Sequence, residues 1–124
     1  MADRILLVDD DPMMRGLASR MLGALGYACE TAGDGAEAAR LLDARGGAFR
    51  AVVTDLMMPG TPGGELLAFL EERFPRLPVV VTTGDTVAAD RLRQGRRGRA
   101  VVVKPFRLAE LQAGLAEALG EGAR

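Results

Sequence analysis

The sequence predicts an α/β fold in which a parallel β-sheet is covered by helices on both faces. Five strand-like segments alternate with five segments of helical spacing, the order expected when helical crossovers join parallel strands. Several strand segments, such as Ile-Leu-Leu-Val and Val-Val-Val, are continuous apolar runs typical of strands buried on both sides. With 124 residues and no linker or internal repeat, the chain is predicted to form one domain, residues 1–124.

The predicted strands are short apolar or alternating segments bounded by polar or turn residues. They span residues 5–8, 27–31, 51–54, 79–82 and 100–103.

The first two predicted helices carry the clearest end signals. Residues 14–25 have apolar side chains at the i, i+3, i+4, i+7 spacing, with Pro12 near the first helical position and Gly26 where a C-terminal cap belongs. The second helix is predicted to open at Asp34, with Glu37 three residues later as in a capping box.

The remaining helices follow the third, fourth and fifth strands less uniformly. The third contains apolar residues within 66–70 and ends before Pro75, and the fourth, near 86–94, has few apolar anchors. The fifth has a single apolar stripe formed by Leu108, Leu111, Leu115 and Leu119.

Composition excludes several classes of protein. A net charge of −1 gives no field that would attract nucleic acid or an acidic membrane, and no apolar run reaches the length of a membrane span. The opening Met-Ala-Asp-Arg is not a signal peptide, so a cytoplasmic location is expected. The single cysteine, Cys29, cannot form an internal disulfide and is predicted to be a buried side chain of the second strand.

Histidine and lysine usage is more informative. The chain has no histidine, which excludes internal histidine acid-base chemistry, Ser-His triads and His-ligated zinc. It has one lysine, Lys104, against fifteen arginines. Because a compact ammonium and a planar guanidinium are not interchangeable, Lys104 is a candidate functional residue, with a solvated loop lysine as the alternative.

Polar residues follow four of the predicted strands, at the edge where open parallel sheets bind ligands. They are Asp9, Asp10 and Asp11 after the first strand, Asp55 after the third, Thr83 after the fourth and Lys104 after the fifth. Asp11, which precedes Pro12, is most simply a helix cap.

Asp9 and Asp10 require a different explanation. Adjacent carboxylates at the end of a buried strand repel each other and lose hydration, so a positive group is expected beside them. Mg²⁺ prefers a few carboxylate oxygens, water and a phosphate oxygen, and Asp55 on the neighbouring strand would complete such a site.

Thr83 and Lys104 extend this site towards phosphate chemistry. A hydroxyl and a mobile ammonium suit a phosphoryl group, whose transfer depends on positioning and on neutralising charge on its oxygens. Together these residues predict a carboxylate nucleophile that receives a phosphoryl group, with Mg²⁺ as the main charge stabiliser.

Four motifs resemble those of the receiver domain of two-component response regulators, in order and over nearly the whole chain. They are LLVDDDP after the first strand, VVTDLMMPG at residues 52–60, VVVTTGD at the end of the fourth strand and VVVKPF at the end of the fifth. The resemblance implies a flavodoxin-like, doubly wound five-stranded parallel sheet of order 2-1-3-4-5 with five helices.

The resemblance also implies the roles of individual residues. Asp55 would be the phosphoacceptor, while Asp9 and Asp10 would hold Mg²⁺ together with Asp55 and the backbone carbonyl of Met57. Thr83 and Lys104 would bind phosphoryl oxygens, and the Lys104-Pro105 bond is often cis in such domains. The donor would be a histidine on a partner histidine kinase or histidine phosphotransfer protein, and phosphorylation would switch contacts with a downstream protein.

Two departures from the family pattern, and two residues at positions that vary in the family, concern the output. Val101 stands where the family usually has Tyr or Phe, three residues before the lysine. Met57 and Asp85 occupy positions that influence phosphoryl lifetime in this family, and GTPGGE replaces the commoner GMDGLE before the third helix. The arginine-rich stretch 91–99 is expected to be a solvated helix end and loop. The alternative is a surface that contacts an acidic patch of a partner protein. DNA binding is not expected, because neither a recognition helix nor an aromatic platform accompanies the charge.

Other functions remain as alternatives. A phosphatase of the haloacid dehalogenase type would need an acid at Met57, and a flavin-binding relative would need a phosphate-cradling loop in place of the three aspartates. A phosphorylation-independent pseudo-receiver would be expected to have lost part of the site. The start at Met1 and the end soon after the fifth helix favour an independent protein over a receiver from a hybrid kinase or larger regulator.

Overall fold

The computed structural model describes residues 4–45, 48–56, 63–93 and 99–120, without the side chains of residues 63–65. Strands and helices alternate throughout these ranges. In chain order they are β1 (Arg4–Val8), α1 (Pro12–Ala24), β2 (Ala28–Ala32), α2 (Gly35–Arg45), β3 (Phe49–Asp55), α3 (Gly63–Arg73), β4 (Val79–Thr83), α4 (Thr86–Arg93), β5 (Arg99–Val103) and α5 (Leu108–Ala118).

The five strands form one parallel sheet, as the sequence predicted, in the order β2-β1-β3-β4-β5 that the resemblance implied. The strand bounds differ from the prediction by one or two residues, and two of these differences concern the predicted site. β3 includes Asp55, which is in register with Thr82, and β4 includes Thr83, whose carbonyl accepts a hydrogen bond from the Lys104 backbone (2.8 Å). Two of the predicted site residues therefore belong to the sheet itself rather than to loops.

Alternate residues of each central strand pack on opposite faces of the sheet, which explains the continuous apolar runs. In β1, Ile5 and Leu7 join a core cluster with residues of α1 and α5, such as Leu22 and Leu111. Leu6 and Val8 join a second cluster on the other face with residues of α2 and α3, such as Leu42, Leu66 and Leu70. Full burial of such a side chain contributes about 1.5–3 kcal/mol, so both clusters hold the strands rigidly.

The predicted helix ends are largely confirmed. Asp11 is the N-cap of α1 and its carboxylate accepts a hydrogen bond from the Met13 amide (3.0 Å). Gly26 follows the C-cap with φ of 96°, the left-handed conformation in which glycine is least strained.

The capping of α2 differs in one partner from the predicted capping box. The Asp34 carboxylate accepts a hydrogen bond from the Glu37 amide (2.8 Å), as predicted. Glu37 Oε1, however, accepts from the Gly33 amide (2.8 Å), so the returning bond holds the β2–α2 turn one residue earlier.

Several apolar side chains are more exposed than the sequence pattern predicts. Leu17 of α1 and Leu108 of α5 belong to apolar stripes but are 45% and 41% exposed. Cys29 is only partly buried, because β2 is an edge strand. Burial nevertheless raises the pKa of its thiol, and a hydrogen bond with Ser19 partly offsets this rise.

Within the described ranges, no helix is both long and apolar enough to span a membrane.

Gly114 lets α5 approach the sheet closely. A Cβ atom at this position would lie 2.6 Å from Cγ2 of Val102 and 3.6 Å from Cγ1 of Val80. A real Cβ does not approach another carbon to 2.6 Å, so any larger residue at position 114 would push α5 away from β5.

We therefore expect Gly114→Ala to lower the free energy of unfolding by about 1–2 kcal/mol, because overpacking outweighs the better helix propensity of alanine. Gly23→Ala in α1 is the matched control, since nothing lies within 4 Å of the added methyl group. Urea unfolding should show a small stabilisation for Gly23→Ala. Equal stabilities of the two variants would contradict the close packing of α5.

Candidate functional site

Three aspartates lie together at the carboxyl edge of the sheet. One carboxylate oxygen from each of Asp9, Asp10 and Asp55 lies within 4.8 Å of the others. Asp9 and Asp55 are 4% and 9% exposed, whereas Asp10 is open to solvent. The cluster thus combines two nearly buried negative charges with an accessible third one.

Asp9 is held by contacts on both its backbone and its side chain. Its amide donates to the Ala32 carbonyl of β2 (3.1 Å), and its Oδ1 accepts from the Asp11 amide (3.0 Å). Its Oδ2 accepts from Nζ of Lys104 (2.9 Å). These bonds fix one carboxylate oxygen towards the helix and the other towards β5.

Lys104 connects Asp9, which follows β1, with Asp55 at the end of β3. Its Nζ lies 2.9 Å from Oδ2 of Asp9 and 3.2 Å from Oδ2 of Asp55, and its side chain is 21% exposed. Burial lowers the pKa of Lys104, but the hydrogen bond to Asp9 and the charges of Asp55 and Asp9 outweigh it, so the pKa is raised above 10.5. The ammonium therefore stays charged and compensates the two nearly buried carboxylates. The Lys104-Pro105 peptide bond is cis, as the resemblance implied.

Thr83 lies at the end of β4 with its side chain buried. Its Oγ1 accepts a hydrogen bond from the Asp85 amide (3.1 Å). The Asp85 carboxylate in turn accepts from the amides of Val87 (2.9 Å) and Ala88 (3.1 Å) at the start of α4. The structure therefore links the Thr83 hydroxyl to the N-terminus of α4 through one residue.

Two roles in this region were not predicted from the sequence. Asp85 is the cap of α4, for which the signal was an aspartate immediately before the helix. Arg15 of α1 donates from NH1 to the backbone carbonyl of Asp9 (2.8 Å). Its only signal was an arginine in the first turn of the helix that follows the aspartates.

Several sequence predictions fall wholly or partly outside the described residues. The backbone carbonyl of Met57 and the GTPGGE segment cannot be compared with the structure for this reason. Of the arginine-rich stretch, residues 91–93 and 99 are described: Arg91 is exposed, Arg93 pairs with Asp90 (3.5 Å) and Arg99 pairs with Glu71 of α3. Val101, at the position of the usual aromatic residue, is partly buried.

The acidic cluster has the donor set that Mg²⁺ prefers. Hard carboxylate oxygens, one of them accessible to solvent, suit an ion that retains several waters and takes one or two carboxylates. No sulfur or imidazole ligand is present in the cluster, which excludes the donor set of a structural zinc site.

Comparison with known proteins identifies the family. The sequence profile described as response regulator receiver domain matches residues 5–116. The chain belongs to this family. Receiver domains are phosphoacceptor signalling domains of two-component systems; they bind Mg²⁺ at an acidic pocket and interact with histidine kinases and phosphotransfer proteins.

Two relatives are longer proteins that contain a segment similar to this receiver domain. It is 40% identical over 114 residues to the transcriptional regulatory protein TcrA of Mycobacterium tuberculosis, covering 90% of this chain and 44% of TcrA. It is 38% identical to the sensor histidine kinase RcsC of Salmonella typhimurium, covering 72% of this chain and 9% of RcsC. The chain thus spans less than half the length of these two relatives.

A solved structure gives the same fold. The crystal structure of TrrA from Thermotoga maritima, in complex with Mg²⁺-BeF, has a TM-score of 0.82 and 29% identity, covering 96% of this receiver domain and 100% of TrrA.

We expect Lys104→Met to lower the free energy of unfolding of this receiver domain by about 2 kcal/mol in the presence of EDTA, because two nearly buried carboxylates lose their compensating charge. Added Mg²⁺ should stabilise this variant more than the wild type. Lys104→Arg, which keeps the charge, is the control, and urea unfolding is the measurement. A Lys104→Met variant as stable as wild type in EDTA would show that the ammonium does not compensate the cluster.

Proposed function

We propose that residues 1–124 form a single receiver domain that accepts a phosphoryl group on Asp55 in a Mg²⁺-dependent reaction. The donor is a phosphohistidine on a partner histidine kinase or histidine phosphotransfer protein. The observation that carries this proposal is the meeting of Asp9, Asp10 and Asp55 at one sheet edge, with Lys104 bridging two of them. Such an edge offers a nucleophile, a cation site and a mobile positive charge together.

In the proposed reaction an Asp55 oxygen attacks phosphorus, an oxygen–phosphorus bond forms and the nitrogen–phosphorus bond of the phosphohistidine breaks. The electron pair of that bond stays with the imidazole, which takes up a proton. The partner therefore supplies the histidine that this chain lacks. Because Asp55 terminates a rigid buried strand, its carboxylate is presented at a defined point.

The other residues neutralise and orient the phosphoryl group. Asp9 and Asp10 would hold Mg²⁺ with Asp55 and the Met57 carbonyl, and the bound ion would neutralise charge on the phosphoryl oxygens. Lys104, now shared between Asp9 and Asp55, would turn to a phosphoryl oxygen. The Thr83 hydroxyl, which accepts from the Asp85 amide, would donate to another.

The Mg²⁺-BeF complex of TrrA supports this assignment, since a related domain of the same fold binds this ion together with beryllium fluoride. We propose further that the domain catalyses only its own phosphorylation and dephosphorylation, that it works in the cytoplasm and that its output is a change in protein contacts.

A second candidate is the same chemistry within a larger regulator or hybrid kinase. It is favoured by one observation, that the chain matches only 44% of TcrA and 9% of RcsC. A phosphorylation-independent pseudo-receiver is less well supported, because Asp9, Asp10, Asp55, Thr83 and Lys104 are all present.

The phosphoacceptor is tested by incubating the protein with Mg²⁺ and a small acyl phosphate and measuring its intact mass. We expect the mass of one phosphoryl group to be added to wild type and not to Asp55→Asn, and the addition to be abolished by EDTA. Asp43→Asn, which removes an exposed aspartate paired with Arg73, is the matched control and should be phosphorylated like wild type. Phosphorylation of Asp55→Asn would contradict the assignment.

The hydrogen bonds that connect Thr83 to α4 through Asp85 provide a second test of the proposed function. Asp85→Ala removes the α4 cap, which should cost about 1 kcal/mol of helix stability and weaken the link between Thr83 and α4. Hydrogen exchange should then show faster exchange of α4 amides and a smaller response of α4 to beryllium fluoride with Mg²⁺.

Asp34→Ala, which removes the corresponding cap of α2, is the control and should change α2 but not the response of α4. An unchanged α4 response in Asp85→Ala would exclude Asp85 as the connecting residue.

A further inference from the structure

Arg15 makes a contact with the acidic cluster that the proposed chemistry does not use. Its NH1 group donates a hydrogen bond to the backbone carbonyl of Asp9 at 2.8 Å. Arg15 belongs to α1, so this bond joins the helix directly to the loop that carries Asp9 and Asp10.

The accepting carbonyl lies between the two aspartates. It belongs to the planar peptide unit that joins Asp9 to Asp10, so fixing its oxygen restricts rotation of the whole unit. Rotation of this unit would swing the Asp10 side chain relative to that of Asp9. A bond to this carbonyl therefore controls the relative placement of the two carboxylates without touching either.

Gly33 provides the space for the guanidinium. A Cβ atom on Gly33 would lie 3.3 Å from NH1 of Arg15, closer than most side-chain contacts, and 3.9 Å from Cζ, an ordinary contact distance. The Gly33 amide is itself held by Glu37 Oε1 at 2.8 Å, which fixes the β2–α2 turn. Arg15 is thus confined between the Asp9 carbonyl and a turn that lacks a side chain at the point of contact.

The positive charge of Arg15 cannot by itself explain a role in binding Mg²⁺. A positive group beside a cation site weakens cation binding, so an arginine that served only by its charge would disfavour Mg²⁺. A geometric role predicts the opposite sign, because an arginine that orients the carboxylates strengthens binding.

We propose that Arg15 is a positioning residue that sets the Asp9–Asp10 peptide so that both carboxylates face one Mg²⁺ ion. The guanidinium is suited to this because its planar group fits beside Gly33 while donating to the Asp9 carbonyl, whereas a lysine has no planar group to place there. This inference rests on the proposed function, since it assumes that the acidic cluster binds Mg²⁺.

The test is the dissociation constant for Mg²⁺, measured by titration calorimetry on the full chain without a phosphoryl donor. We expect Arg15→Lys and Arg15→Gln both to weaken binding by about tenfold, the lower end of the effect of losing a residue that supports metal ligands. Tighter binding by Arg15→Gln with wild-type binding by Arg15→Lys would show that only the charge matters, and would overturn the proposal.

Gly33→Ala tests the same contact from the other side while keeping the arginine. Its methyl group should displace the guanidinium and weaken Mg²⁺ binding to a smaller extent. Combined with Arg15→Gln, it should produce no further loss, because the contact is already absent. Gly16→Ala in α1 is the matched control, since nothing lies within 4 Å of its methyl group, and it should bind Mg²⁺ like wild type.

The outcomes separate this inference from the function on which it rests. A wild-type chain that binds no Mg²⁺ overturns both. Normal Mg²⁺ binding by wild type, Arg15→Lys, Arg15→Gln and Gly33→Ala overturns the role of Arg15 alone. If Arg15→Gln fails to fold, as judged by circular dichroism, Arg15→Lys and Gly33→Ala still decide the question.

Discussion

The mutual repulsion of Asp9, Asp10 and Asp55 is the constraint on which the carboxyl edge of the sheet is built. The three carboxylates lie within 4.8 Å of one another and repel each other, and the low hydration of Asp9 and Asp55 increases the energetic cost. Lys104, the residue after β5, offsets this repulsion with an ammonium close to both Asp9 and Asp55. Because the lysine side chain is flexible, its ammonium can compensate the aspartates and can also move to another anion if a divalent cation compensates them instead.

The sheet supplies the precision that this arrangement needs. Neighbouring strands lie about 4.8 Å apart, so residues at the ends of adjacent strands are brought to contact distance by the backbone alone. Val8 is in register with Thr54, and Asp55 with Thr82. This register places Asp9, the residue after β1, beside Asp55 at the end of β3 and near the end of β4. Because the strands are packed on both faces, they cannot slide without disturbing both core clusters.

Much of this could be predicted from the sequence because it depends on local patterns. Apolar runs and helical spacing located all ten elements, and the strand-end rule brought Asp9, Asp10, Asp55, Thr83 and Lys104 to one edge. The contact of Arg15 with the Asp9 carbonyl could not be predicted, because it depends on the position of α1 relative to the β2–α2 turn. The partner of Glu37 was displaced by one residue for a similar reason: which amide a side chain reaches is decided by the shape of the turn.

The side chain at position 101 affects which contacts could transmit a structural change at Thr83 to the rest of the domain. An apolar side chain at this position has no hydroxyl to form hydrogen bonds. The described contacts of Thr83 lead to the backbone of Lys104 and to Asp85. Asp85 holds the first turn of α4 through two amides, whereas the described contact at its other end is a long bond from Arg93 to the Val101 carbonyl (3.5 Å). With eight residues and only Ala89 buried among them, α4 has little packing of its own to resist a change at its cap. An element of low local stability responds most to such a change, so under the proposed function α4 is the element expected to respond when Asp55 is phosphorylated.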